Sequence, residues 1–169
     1  MKISHQEEYG FRCIRQLALG ERDQLLTCHD IAAKEGISVP YSAKLMNILK
    51  RAGLVTSVRG EKGGYRLSRD ASEINLFQIL EALGGSFYNE DFCTCFSGER
   101  EQCVHYDGSC SLRSVWSMLA EHIQGVLGAT TLAELAGKKE AILGTVLRLR
   151  SGEQALRMST SRGCGQLGK

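Results

Sequence analysis

Apolar residues recur at helical spacing near the start of the chain. Gly10 or Phe11, Ile14, Leu17 and Ala18 fall three or four positions apart among polar neighbours, the period of a helix that buries one face. Ser4 followed by Glu7 has the spacing of a capping box, so this helix starts near His5, and Gly20 ends it. Thr27 and Asp30 repeat the signature, with Leu26 and Ile31 set as a hydrophobic staple, and the short second helix stops at Gly36. Ser38 caps a third helix with Pro40 in its first turn, where a missing N–H costs little. Leu45, Ile48 and Leu49 form its inner stripe and Gly53 follows its end. Two helices joined by a glycine turn give the outline of a helix-turn-helix.

The period then changes. Leu54 to Arg59 and Tyr65 to Ser68 favour strands, and Gly60-Glu61-Lys62-Gly63-Gly64 between them reads as a turn, which makes a hairpin wing. Asn75 caps another helix with Leu76, Ile79, Leu80 and Leu83 inward and Gly84-Gly85 as its stop. Residues 91–110 are polar and glycine-containing, and look unable to pack a core. Beyond them Leu112, Val115, Trp116, Leu119, Ile123, Val126 and Leu127 alternate by threes and fours, a stripe suited to a partner helix. Trp116 is expected to anchor this helix against the preceding domain. Thr131 and Glu134 open a less regular helical stretch with Ala141, Ile142, Val146 and Leu149 on one face. The pattern therefore predicts a mainly α fold with a small β-hairpin wing. Its parts are a winged helix-turn-helix domain over 1–85, a cysteine-rich loop over 86–110, a long dimerisation helix over 111–128, a C-terminal helical extension over 129–157 and a flexible tail over 158–169.

Composition narrows the function. With 169 residues and 43% apolar content, the chain can bury one core with a helical extension. A net charge of only +2 means that nucleic-acid binding must rest on local clusters of Lys and Arg. The start Met1-Lys2-Ile3-Ser4-His5 has no apolar leader region, and no run of about 18 apolar residues occurs. A cytoplasmic protein without a membrane partner is the expectation. Of seven cysteines, Cys93, Cys95, Cys103 and Cys110 crowd into one segment. In a reducing compartment such a cluster points to metal ligands or redox sensors before structural disulfides. None of the spacings is the Cys-x-x-Cys pair of zinc ribbons or bacterial ferredoxins. Cys13 and Cys28, among apolar neighbours, read as small packing residues, and Cys164 falls in the tail.

On the third helix, an inner stripe of Leu45, Ile48 and Leu49 turns Ser42, Ala43, Met46, Asn47 and Lys50 outward, several within groove reach. Ser38, Tyr41 and Lys44 near its start are placed for phosphates. Ser38 has a second role as a helix cap worth about 1 kcal/mol. Arg59 beside Gly60 on the wing tip suits a narrow minor groove, against the ordinary reading of a solvated charge.

Several segments carry a family resemblance: Ile37-Ser38-Val39-Pro40-Tyr41, Leu49-Lys50-Arg51-Ala52-Gly53-Leu54-Val55, the wing from Ser57 to Leu67, the start Met1-Lys2-Ile3-Ser4 and the junction Cys110-Ser111-Leu112-Arg113-Ser114-Val115-Trp116. Over roughly residues 1–135 the chain resembles the winged-helix iron-sulfur transcription regulators, a family that includes the cluster regulator IscR, the nitric-oxide sensor NsrR and the iron regulator RirA. The resemblance implies a homodimer that binds a double-stranded DNA operator through Lys2, Ser38, Tyr41, Ser42, Ala43, Lys44, Asn47, Ser57, Arg59 and Gly60. Some members carry a carboxylate where this chain has Ala43, which leaves the operator sequence open. It also implies an iron-sulfur cluster, 2Fe-2S or 4Fe-4S, on Cys95, Cys103 and Cys110, with Cys93 as the alternative to Cys95. The loop is longer than in many members, with seven residues between Cys95 and Cys103 and six between Cys103 and Cys110. One subfamily supplies a histidine ligand where this chain has Arg113, which cannot bind metal. In the nitric-oxide sensor a carboxylate from the other subunit serves instead, and Glu8 occupies that place here. An acid in a helix's first turn is also stabilised by the dipole, by about 0.3–1 kcal/mol. His5 and His105 are the alternative fourth ligands.

The resulting expectation is a transcription regulator, a repressor, that senses redox state, nitric oxide or iron status through a labile cluster. Two rivals stand beside it. One is a cluster-free thiol switch on the same cysteines. The other is a dithiol oxidoreductase or cluster-transfer protein, which no thioredoxin-like pattern and no nucleophile-base pair supports, so no enzyme is expected.

Overall fold

The computed structural model describes residues 3–21, 24–60, 63–84, 110–137, 144 and 147. Among these, the elements in chain order are α1 (His5–Leu19), α2 (Cys28–Glu35), α3 (Val39–Arg51), β1 (Val55–Val58), β2 (Gly64–Leu67), a 3₁₀ turn (Ala71–Glu73), α4 (Leu76–Gly84), α5 (Ser111–Gly128) and α6 (Leu132–Ala136). The helix starts follow the caps in the sequence. Glu7 N–H donates to Ser4 Oγ at 3.2 Å while Ser4 N–H donates to Glu7 Oε2 at 2.6 Å. Reciprocal boxes also close at Thr27–Asp30 and Thr131–Glu134, and Gln78 N–H donates to Asn75 Oδ1 at 2.9 Å at the start of α4. Each such cap is worth about 1 kcal/mol. Gly36 ends α2 at φ 66°, a left-handed position that a side chain would strain.

The core is one cluster fed by nearly every element: Ile14 from α1, Ile31 from α2, Leu45, Met46 and Leu49 from α3, Val55 from β1, Ile79 from α4 and Leu132 from α6. Full burial of each large side chain stabilises by roughly 1.5–3 kcal/mol. Gly10 lets α1 and α4 touch, since a Cβ there would lie 2.3 Å from Leu83 Cδ2.

β1 and β2 pair antiparallel from Val55↔Leu67 to Val58↔Gly64. The segment before α2 joins them: Leu26 N–H donates to Tyr65 O at 3.1 Å, and Tyr65 N–H to Leu26 O at 2.8 Å. This bridge holds the wing base against the helix-turn-helix. The chain past α5 is tied to the start of α4, with Leu76 N–H donating to Thr130 O at 2.9 Å and Leu132 N–H to Ile74 O at 2.8 Å.

Three expectations need correction. The buried stripe of α3 is Ser42, Leu45, Met46 and Leu49, spaced three, one and three, while Ile48 is half-buried. The helix is thus rotated about its axis from the Leu45-Ile48-Leu49 reading, because α1, α2 and α4 all press on it and demand a wider apolar face. Ser42 and Met46 point inward, not outward. Trp116 does not anchor α5 on the domain: it is 46% exposed. Residues 85–109, with Cys93, Cys95, Cys103 and His105, lie outside the described residues, as do Lys2, Cys164 and most of the chain past Gly137.

Candidate nucleic-acid interface and cysteine site

The first turn of α3 carries two jobs. Tyr41 N–H donates to Ser38 Oγ at 3.4 Å, so the serine caps the helix while remaining exposed. Downstream, Lys44, Asn47, Lys50 and Arg51 are exposed along the helix, and no acidic residue lies anywhere in α3. The helix therefore offers positive charge and one amide on its outer side, the inventory for phosphate and base-edge contacts. Ala43 is half-buried.

The wing continues this surface. Ser57 is half-buried on β1, and Lys50 Nζ donates to its Oγ at 2.6 Å. Arg59 and Gly60 are exposed at the tip, where Gly60 adopts φ 122°. Gly63 N–H donates to Gly60 O at 2.9 Å, and a Cβ on Gly63 would meet Val58 O at 2.4 Å. Gly63 thus has no room for a side chain, while at Gly60 it is the backbone angle that favours glycine.

Ser42 leaves this surface. It is 0% exposed, with its Oγ lacking a partner among the described residues. The structure brings Ser38, Lys44, Asn47, Ser57, Arg59 and Gly60 to accessible or partly accessible positions and removes Ser42.

Tyr41 is half-buried and meets the ring of Tyr9 edge-on, with centroids 6.1 Å apart at 77°. Arg12 lies over Tyr9 at 5.4 Å and binds Glu8 at 2.7 Å. His5 is exposed, 6.5 Å from the Tyr9 ring. The start of the recognition helix thus meets α1 at Tyr9, beside the Glu8–Arg12 pair. Of this set, sequence reasoning missed Tyr9 and Arg12. Their only signal was the i,i+4 pairing of Glu8 with Arg12, because the contact with Tyr41 joins distant positions.

Of the four loop cysteines, Cys110 is the described one. It is buried and stands as the N-cap of α5, where Arg113 N–H donates to Sγ at 3.4 Å. N–H dipoles at a helix start complement the negative charge of a metal-bound thiolate, so this donor fits an iron-sulfur ligand. Glu8 is half-exposed, and its carboxylate pairs with Arg12. Among the described residues no three His, Cys, Asp or Glu side chains converge on one point. Cys13 is a different kind of thiol. Burial above all, with Glu35 and Cys28 nearby, pushes it up to about 12 and keeps it neutral. It is a packing residue.

Known proteins place this geometry in context. A family model described as Rrf2, iron-dependent transcriptional regulator, matches residues 3–138. The HTH-type transcriptional regulator IscR of Serratia proteamaculans (strain 568) is 33% identical over 143 residues, 85% of this chain and 84% of that protein. Among solved structures, CymR (YrzC), the global cysteine regulator of B. subtilis, superposes with a TM-score of 0.64 at 29% identity, covering 80% of this chain and 96% of that one. T. potens IscR gives a TM-score of 0.61 at 32% identity, covering 80% and 85%. Among the described residues, no helix is long and apolar enough to cross a membrane.

Proposed function

Because this chain belongs to the Rrf2 family of transcriptional regulators, we propose that it is a homodimeric DNA-binding repressor whose operator affinity is set by a labile iron-sulfur cluster. Its DNA-facing residues are Ser38, Tyr41, Ala43, Lys44, Asn47, Arg59 and Gly60, with Lys2 and Ser57 flanking them. The ligands are Cys95, Cys103 and Cys110 of one subunit and Glu8 of the partner subunit, with Cys93, His5 and His105 as the alternatives. When bound, the group supplies a centre that reacts with oxidants or nitric oxide and is lost when iron is scarce.

The observation that carries this reading is Cys110. It opens α5 with its sulfur facing a helix N-terminus, and the chain just past the far end of that helix is hydrogen-bonded to the start of α4. A pull on Cys110 therefore acts on an element fixed to the DNA-binding fold. Glu8 supplies a second link. Its carboxylate holds Arg12 over Tyr9, which supports Tyr41 at the start of α3. Taking Glu8 from Arg12 frees a guanidinium at the base of the recognition helix. The apolar side chains of Leu112, Val115, Trp116 and Leu119, exposed along α5, support the homodimer.

The deciding experiment is iron and acid-labile sulfide analysis, with a visible spectrum, on protein purified without oxygen. Equal amounts of iron and sulfide are expected, lost in Cys110→Ala, with operator affinity differing between loaded and stripped protein. Colourless protein that resists anaerobic reconstitution would overturn the cluster reading and move sensing to thiol chemistry on the same cysteines.

A further inference from the structure

Lys50 stands outside the DNA-facing set named above, and its position is unusual. It stands in the last turn of α3, where a cation complements the helix dipole. That explains a lysine there but not where it points. Its Nζ reaches seven residues along the chain to Ser57 Oγ, at 2.6 Å, and so joins the recognition helix to the wing across the groove between them. The contact neutralises nothing. Among the described residues Lys50 has no carboxylate partner, while an ammonium carries three protons and Ser57 uses only one of them. Two ammonium protons and the serine's own hydroxyl proton remain as donors at one place. The neighbourhood is also positive, since α3 holds Lys44 and Arg51 and no acid. Arg59 follows directly on β1, two residues beyond Ser57. The set thus lies in line with the wing tip.

We propose that Lys50 and Ser57 together form the seat for a single backbone phosphate of bound DNA. Lys50 supplies the charge and orients Ser57, and the seated phosphate fixes the angle between recognition helix and wing. This rests on the DNA-binding reading above. It is distinct from base recognition, since a phosphate seat positions the protein without reading sequence.

The test uses the full-length protein and two probes, a duplex enriched by the native protein from a random-sequence pool and an unselected duplex of equal length. Affinity is measured between 50 and 200 mM salt. In Lys50→Met the slope of log affinity against log salt is expected to fall by about 0.9, the loss of one phosphate contact. The native advantage at low salt then shrinks by about 3.5-fold across that range. Both probes weaken by the same factor, Lys50→Arg keeps the slope, and Ser57→Ala added to Lys50→Met changes the slope no further. An unchanged slope in Lys50→Met with an unchanged melting curve would overturn the proposal. So would a loss confined to the selected duplex, which would make Lys50 a base reader. Failure of the native protein to bind either duplex would instead strike the DNA-binding reading.

Discussion

Ser42 sits fully buried in the recognition helix with no partner for its hydroxyl among the described residues. Such a group costs about 1–3 kcal/mol when unpaired, so Ser42→Ala should leave stability unchanged or raise it by up to about 1 kcal/mol. Urea unfolding measures this, and a clear loss would mean that the hydroxyl has a partner. DNA affinity should not move. Cys13 gives a second prediction. Its thiol is raised from 9.0 to about 12 by burial, so the folded state holds a proton that the unfolded state releases from about pH 9 upward. The stability this provides is complete below that value and is lost as pH climbs toward 12. Between pH 8 and 10.5 the native protein should lose roughly 1–2 kcal/mol more than Cys13→Ala, read from unfolding midpoints at each pH. Both residues show the reach of sequence at this scale. Cys13 was legible as a packing residue from its apolar neighbours. Ser42 was not, because a serine is compatible with either side of an amphipathic helix, and only the neighbours pressing on α3 decide its side.

Elements were the most legible scale. The starts of α1, α2, α3, α4 and α6 coincide with Ser4, Thr27, Ser38, Asn75 and Thr131, since a cap is a local hydrogen bond between positions about three apart. The hairpin likewise follows from its glycines. The element whose purpose is least contained in its own fold is α5. Val115 and Leu119 are 44% and 39% exposed one turn apart, and the proposed homodimer buries them. A charge forced into that seam must be desolvated without a partner. Val115→Glu and Leu119→Glu should therefore sediment as monomers where the native protein is expected to sediment as a dimer, with unchanged helical content. Their affinity for an enriched duplex should fall by at least about tenfold as two-site binding is lost. Variants that remain dimeric would place the interface elsewhere.

At the scale of the molecule, the contacts that assemble a working surface join positions far apart in the chain. Leu26 pairs with Tyr65 and steadies the wing, Tyr9 meets Tyr41 beneath the recognition helix, and Ile74 and Leu76 hold the chain just past α5 through Leu132 and Thr130. None of these has a local signal, because each depends on how α1, the hairpin and α4 close around the common core. Sequence by itself determined the order and ends of the helices, the winged hairpin and the placement of Cys110 before a long apolar helix, since caps, turns and periodicity are short-range. It could not rotate α3 to bury Ser42 and Met46, leave Trp116 exposed, or bring Lys50 to Ser57. Those were decided by packing, where the apolar area a helix must bury depends on how many neighbours it has and on their positions.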